Sequence, residues 1–343
     1  MASADQIKAL LKSHLERDDQ RFFSVAMQVA AHEAKLGHGQ LAIELRDMID
    51  AAKARLVAAD SGNIVHFAKP RGDLANLLSV TYPKNRLVDM VLDRKALAQL
   101  DQVIKEQRQF ARIREYGLAP RRKLLLVGPP GTGKTMTASV LAGELGIPLF
   151  LVRLDSLITK FMGETAAKLR QVFDSVTDMR GVYFFDEFDA IGSHRGMAND
   201  VGEIRRVLNS FLQMIEHDQS NSLIIAATNH PAILDYALFR RFDDVVEYKL
   251  PTPAQIAGLI RSRLGSFLPK RMAMTMIGAK ADGLSYAEIC RAMDGAIKEA
   301  IMHDKGSVTE ANLIRMLEER RRISHKLAMK NKMTSGHGGS AKR

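Results

Sequence analysis

Along residues 4 to 58 the apolar positions recur at helical spacing: Ile7, Leu10, Leu11 and Leu15, then Phe22, Val25, Ala26 and Val29, then Leu41, Leu45, Met48, Ile49 and Leu56. That period predicts three amphipathic helices, with Gly37-His38-Gly39 separating the second from the third. A bundle this small buries little surface by itself, so residues 1–60 are expected to act as a recognition module for a client or partner. Ser61-Gly62-Asn63 through Lys69-Pro70-Arg71-Gly72-Asp73 then marks a linker, assigned to 61–86. From about Leu87 to Leu250 the pattern changes to helical segments alternating with short, near-continuous apolar runs. The runs are Leu124–Val127, Leu149–Val152, Val182–Phe185, Leu223–Ala227 and Val245–Tyr248. Strands apolar on both faces imply a five-stranded parallel sheet between layers of helices, an α/β domain over 87–250. After Pro251-Thr252-Pro253 the helical period returns as far as about Leu327, broken near Lys280-Ala281-Asp282-Gly283. It predicts a small helical lid over 251–327, followed by a basic flexible tail over 328–343.

Composition excludes several classes. Of 343 residues, 46% are hydrophobic and 26% charged, as in ordinary globular chains, which leaves no fibrous or wholly disordered reading. There is no run of about eighteen uninterrupted apolar residues and no basic-then-apolar leader, so a cytoplasmic protein without a membrane contact is expected. Cys290, the single cysteine, forms no internal disulfide and falls in a helical pattern, where it reads as a small buried side chain. His14, His32 and His38 have no metal-ligand spacing. The net charge of +11 suggests a nucleic-acid partner until it is located: Arg320 to Arg343 holds eight Lys or Arg and no acid. Most of the excess thus sits in the C-terminal segment from Arg320 onward, which serves either solubility or an anionic partner.

The chemistry is concentrated in the α/β region. Lys123-Leu124-Leu125-Leu126-Val127 runs into Gly128-Pro129-Pro130-Gly131-Thr132-Gly133-Lys134-Thr135 and then a helix opening with Met136. Glycines let backbone N–H groups turn inward around phosphates, and the following helix N-terminus adds its dipole. Lys134 supplies a point charge and Thr135 a hydroxyl for Mg²⁺, so ATP and Mg²⁺ are the expected ligands. About fifty residues on, the apolar run Val182-Tyr183-Phe184-Phe185 ends in Asp186 and Glu187. Asp186 suits Mg²⁺, held through its water shell, and Glu187 suits a base that aims the attacking water. Ile224-Ile225-Ala226-Ala227-Thr228 ends in Asn229, whose amide either bonds the γ-phosphate and the water or simply forms the turn before His230-Pro231. Arg240 and Arg241 follow, as plain surface charge or as donors to a γ-phosphate.

Together these residues resemble the AAA+ ATPases, and within them the AAA clade of katanin, spastin, the proteasomal ATPases and FtsH-type enzymes. The resemblance covers roughly residues 87 to 325 and keeps five motifs in the family's order. Lys134 and Thr135 match Walker A, Asp186 and Glu187 Walker B, Asn229 sensor 1, and Arg240 with Arg241 the arginine-finger region. Gly283-Leu284-Ser285-Tyr286-Ala287-Glu288 is similar to the clade's lid segment, with Ala287 where other branches carry a sensor-2 arginine. Phe161-Met162-Gly163, aromatic then hydrophobic then glycine, resembles the pore loop that grips a polypeptide, although Phe161 also suits a core position. His194 to Asp200 corresponds to a second pore loop.

The resemblance implies a homo-oligomer, a hexameric ring, that uses ATP hydrolysis to unfold, thread or remodel a protein client. It also makes a separate subtilisin-like protease a candidate partner, since this sequence has neither a His-Glu-x-x-His metal motif nor a Gly-x-Ser-x-Gly elbow. The alternative is a DNA-directed ATPase, a helicase or transposase loader, with the basic tail on the phosphate backbone.

Overall fold

Five consecutive buried residues, Lys123–Val127, form strand β2, next to last in the sheet of the described residues. Described in the computed structural model are residues 19–35, 38–60, 70, 72–157, 162–188, 200–231, 239–303 and 306–336. The chain divides into two compact units, Met1–Phe67 and Ala68–Arg343.

In the first unit α1 (Asp19–Lys35) packs against α2 (Gly39–Asp60). The His38 ring meets the buried Glu33 carboxylate at 2.7 Å. Ala30 and Ile49 are buried, whereas Leu41 and Met48, expected on the apolar stripe, are 45% and 68% exposed. Two helices in contact along one seam cover only the side chains on that seam. The first of the three expected helices lies outside the described residues.

The second unit opens with α3 (Leu74–Leu77) and β1 (Leu78–Thr81), then a 3-10 turn at Leu87–Asp89, α4 (Arg94–Arg108) and α5 (Phe110–Glu115). After β2 come α6 (Lys134–Leu145), β3 (Leu149–Val152), α7 (Leu154–Leu157), α8 (Met162–Asp178) and β4 (Val182–Phe185). Next are α9 (Asp200–His217), β5 (Leu223–Thr228) and β6 (Asp244–Glu247). The strands form one six-stranded sheet in the order β1-β3-β4-β5-β2-β6. All neighbours are parallel except β1 and β3, which pair antiparallel, Leu78 opposite Val152 and Thr81 opposite Leu149.

The sixth strand corrects the expectation of five, and it falls inside the segment read as linker, 61–86. Leu-Ser-Val-Thr is too short to declare itself by alternation; it is a strand because the edge of β3 offers unpaired N–H and C=O groups.

Successive residues of β2 enter opposite layers. Leu124 and Leu126 pack with Leu100, Val103 and Leu141 on one face, and Leu125 and Val127 with Phe150, Phe173 and Phe211 on the other. Both faces of the strand are therefore dry, as its unbroken apolar run requires.

A separate core gathers α10 (Pro253–Leu264), α11 (Met274–Ala281), α12 (Tyr286–Met302) and α13 (Glu310–Gly336) around Ile260, Ile277, Ile289, Met293, Leu313 and Leu317. Two capping boxes start its helices: Thr252 with Gln255 before Pro253, and Ser285 with Glu288 at α12. Cys290, expected to be buried, is half-buried at the margin of this core, and burial pushes its thiol above the ordinary range. Helix α13 continues to Gly336, so residues 328–336 are helical where a flexible tail is expected from 328 onward. Extending an existing helix avoids the cost of nucleation, and Leu327, Ala328, Met329 and Lys330 are good helix formers. No helix among the described residues is long and apolar enough to cross a membrane.

Candidate functional site

At the C-terminal end of β2 the chain turns through Gly128, Gly131 and Gly133, with φ of 148°, 74° and 105°. Two of these glycines are also fixed by space. A Cβ on Gly128 would lie 2.3 Å from the Tyr248 carbonyl oxygen, and one on Gly131 would lie 2.7 Å from Ser285 Oγ and 3.1 Å from Ala287 Cβ. Only glycine satisfies both the backbone angle and the crowding.

Thr132 donates to the Pro129 carbonyl at 2.8 Å, tightening the loop, while the buried Lys134 ammonium donates to the Gly128 and Pro129 carbonyls at 2.8 and 2.9 Å. Pro130 and Met136 lie exposed beside them. Lys134 thus sits against the loop as a buried cation held by the loop's own carbonyls.

Register brings the acidic strand end to the same edge. Strand β5 lies between β4 and β2, with Phe185 opposite Ala226 and Val127 opposite Thr228. Asp186 follows β4 directly, and Thr135 Oγ1 donates to its Oδ2 at 2.7 Å. Glu187 is exposed and holds φ 49°, the one positive φ of a non-glycine among the described residues. Its N–H donates to Asp186 Oδ1 at 3.0 Å, and Phe188 returns to the core with its N–H on the Ala227 carbonyl. The strained turn thereby lifts the Glu187 carboxylate off the sheet edge between two anchored residues. Asn229 emerges from β5 half-buried, one residue beyond Thr228, whose carbonyl accepts from Gly128 N–H.

Thr135, Asp186, Glu187 and Asn229 therefore share one edge with the glycine loop. Hydroxyl and carboxylate oxygens side by side, next to a loop that admits no side chain, fit a hard divalent cation carried with a polyphosphate. Among the described residues no three His, Cys, Asp or Glu side chains converge on a metal site.

Arg240 and Arg241 lie elsewhere. They precede β6, whose first residue Asp244 is opposite Leu124 at the start of β2. The length of β2, roughly 16 Å at about 3.3 Å per residue, separates them from their own glycine loop. Arg241 forms an ion pair with Glu216 at the end of α9. Phe161 lies outside the described residues, as do His194 to Asn199; Met162 and Gly163 begin α8, with open space around Gly163.

Several neighbours of the loop come from segments the motifs do not cover. Met90 Cε would be 3.4 Å from a Cβ on Gly133, and Thr137 Oγ1 lies 2.5 Å from the Tyr248 hydroxyl. Burial raises the Tyr248 phenol well above its ordinary range. The Tyr286 phenol, on the lid helix, is pushed up to about 12 by burial and then by the negative charge of Asp93. Ala287 N–H donates to the Gly131 carbonyl at 3.0 Å, so the lid is hydrogen-bonded to the phosphate loop itself. Tyr286 and Ala287 belong to the lid segment already singled out in the sequence, whereas the local signal for Met90, Thr137 and Tyr248 is weak, because each is an ordinary position that only the fold brings to the loop.

Residues 124–250 match the family described as ATPase family associated with various cellular activities (AAA). Over 324 residues the chain is 35% identical to an uncharacterized AAA family ATPase, y4kL, of Sinorhizobium fredii, covering 94% of this chain and 96% of that one. The chain belongs to the AAA family of ATPases.

Among other relatives, the ATP-dependent zinc metalloprotease FtsH 3 of Sphaerobacter thermophilus is 32% identical over 249 residues, covering 71% of this chain and 51% of its own. FtsH of Acidothermus cellulolyticus is 33% identical over 236 residues, covering 65% and 35%. The chain thus spans nearly all of y4kL but about half or less of these FtsH relatives. As an AAA ATPase it hydrolyses ATP to ADP and phosphate.

Proposed function

We propose that this AAA ATPase works as a ring, a hexamer, in which each hydrolytic site is shared by two chains and the released energy remodels or threads a protein client. The observation that carries this reading is the separation of Arg240 and Arg241 from the edge that holds Thr135, Asp186, Glu187 and Asn229. Arginines at the far end of the sheet can serve only a neighbour's nucleotide, which makes one chain half a site.

In that site the backbone N–H groups of Gly131 to Lys134 and the Lys134 ammonium hold the phosphates. Thr135 and Asp186 would hold Mg²⁺, which when bound neutralises charge on the β- and γ-phosphate oxygens. Glu187 aims the attacking water and takes its proton, while Asn229 donates its amide to the γ-phosphate. The neighbour's Arg240 or Arg241 stabilises charge that develops on transfer, a contact worth roughly 10³ to 10⁵ in rate.

Residues 1–60 are assigned to client or partner choice, 61–86 to a connection, 87–250 to the ATPase domain and 251–327 to the lid. Phe161, Met162 and Gly163 are assigned to the pore surface, Phe161 gripping extended chain by apolar contact with little side-chain specificity. A separate subtilisin-like protease would take up the threaded chain, and the cytoplasm is the compartment this requires.

The test is Phe161→Ala in the full chain. Remodelling of an unfolded-protein substrate is expected to fall at least tenfold while ATPase stays within about twofold of wild type. Normal remodelling by that variant would remove the pore assignment. The second reading, a DNA-directed ATPase, draws on α13, which carries Arg320, Arg321, Arg322 and Lys326 beyond the buried Leu317. Stimulation of hydrolysis by DNA, lost with added salt, would favour it over stimulation by unfolded protein.

A further inference from the structure

The ion pair between Glu216 and Arg241 has little to do with holding the fold. Its side chains are 52% and 36% exposed, a setting in which a pair contributes little to stability. Yet the backbone on both sides is firmly tied to one dipeptide, Arg122-Lys123, at the start of β2.

After Arg241, Phe242 is buried in the sheet core, and Asp243 Oδ2 accepts the N–H groups of Arg122 and Lys123 at 2.8 and 2.9 Å. Asp243 N–H returns a bond to the Lys123 carbonyl at 2.8 Å. From the other side, the Glu216 carbonyl accepts from Lys123 Nζ at 3.4 Å. Two residues on, the nearly buried Asp218 carboxylate pairs with the Arg122 guanidinium and accepts from Ser220. The main chain carrying each member of the exposed pair is therefore fixed, and what remains free to change is the pairing of the two side chains.

We propose that Glu216 is a positioning residue that clasps Arg241 within its own chain, so that the guanidinium is released by Glu216 before it engages the neighbouring chain's γ-phosphate. This rests on the reading of Arg241 as the residue that completes a neighbour's site.

The physical basis is competition between two anions for one cation. Glu216 offers a single, solvent-screened charge, whereas a bound ATP offers several charges on a group with bidentate geometry that suits a guanidinium. With ATP across the interface the arginine transfers; without it, Glu216 retains the arginine and keeps it from wandering to a wrong acceptor. The clasp lies at the N-terminal end of β2 and the chain's own phosphate loop at the C-terminal end, so one short strand joins the two half-sites that a chain contributes to the ring.

The experiment uses steady-state ATP hydrolysis by the full chain and three variants: Glu216→Gln, Arg241→Ala and the two combined. Glu216→Gln is expected to raise kcat about two- to fivefold, the range set by losing an exposed ion pair, with KM for ATP unchanged because ATP is held by residues of the other half-site. The gain must disappear in the double variant, which should hydrolyse as slowly as Arg241→Ala, and the melting temperature of Glu216→Gln should match wild type. Glu216→Ala provides a second removal of the charge with the same expected rise.

A kcat for Glu216→Gln at or below wild type, with Arg241→Ala inactive, would overturn the clasp and leave the shared site standing. A gain that persists in the double variant would also overturn it, since the acceleration would not pass through Arg241. Wild-type hydrolysis by Arg241→Ala would overturn the shared-site reading and the clasp together.

Discussion

Gly128 shows how much of this ATPase depends on single atoms. Its φ of 148° and the 2.3 Å gap between a would-be Cβ and the Tyr248 carbonyl mean that even a methyl group must push the end of the sheet aside. Gly128→Ala is expected to cost about 3 kcal/mol, from overpacking plus backbone strain, and to weaken nucleotide binding with it. Urea unfolding and a fluorescent-nucleotide titration check the two effects. Glu187 carries strain of the opposite kind: a side chain holds φ 49° where glycine would be easier, and the proposed role as base accounts for a carboxylate there. The gathering of Lys134, Thr135, Asp186 and Glu187 at one edge was legible in the sequence because the family's motifs tie residue type to spacing. The contacts around them were not. Nothing in the run Val245 to Tyr248 announces that the Tyr248 carbonyl is what forbids a side chain at Gly128, since the two are brought together by the parallel pairing of β2 and β6.

Elements divide in the same way between those that declare themselves and those that need a neighbour. The buried strands β2, β4 and β5 were legible as apolar runs; β1 was not, because its four residues take strand form against the free edge of β3. Helix α6 is a further case: its outer end is held to the 3-10 turn and α4 through Glu144. That carboxylate accepts the Leu87 N–H at 3.0 Å and meets the Arg86 and Arg108 guanidiniums, with its side chain 15% exposed. The Leu87 N–H first, then the two arginines, hold its acid below the ordinary carboxylate range. A lowered folded-state value contributes stability above the unfolded value, and this stability is lost as pH falls through the folded one. Glu144→Gln is therefore expected to destabilise the protein by about 1 to 2 kcal/mol at neutral pH and by progressively less as pH falls through the folded-state value, where the wild type loses the same contribution. Melting curves of both proteins across that range give the comparison. The hydrophobic pattern of α6 shows a helix between two strands; it does not show that Glu144, 57 positions from Leu87, fastens that segment beside the loop.

At the scale of the whole molecule, under the shared-site proposal one edge of the sheet serves the chain's own nucleotide and the other its neighbour's. Residues after β2, β4 and β5 gather at one edge, and Arg240 and Arg241 stand before β6 at the other. Chains mixed from Arg241→Ala and Glu187→Gln, each inactive alone, are expected to recover up to roughly a quarter of wild-type turnover at equal ratio. That is the share of random interfaces that pair an intact Glu187 with an intact Arg241. Inactivity at every ratio would mean that the arginine does not act between chains. The sequence by itself determined the nucleotide chemistry, the α/β class and the AAA family, because glycine, lysine, hydroxyl and carboxylate must stand at fixed offsets from buried strands to do that work. Only the tertiary structure decided that a sixth strand closes the edge, that 328–336 continues a helix, that the lid bonds to Gly131, and that Glu216 holds Arg241. The helix continuation is a local extension of α13, whereas the other three join residues far apart in the chain, and such pairings are set by strand order and packing, which local periodicity does not encode.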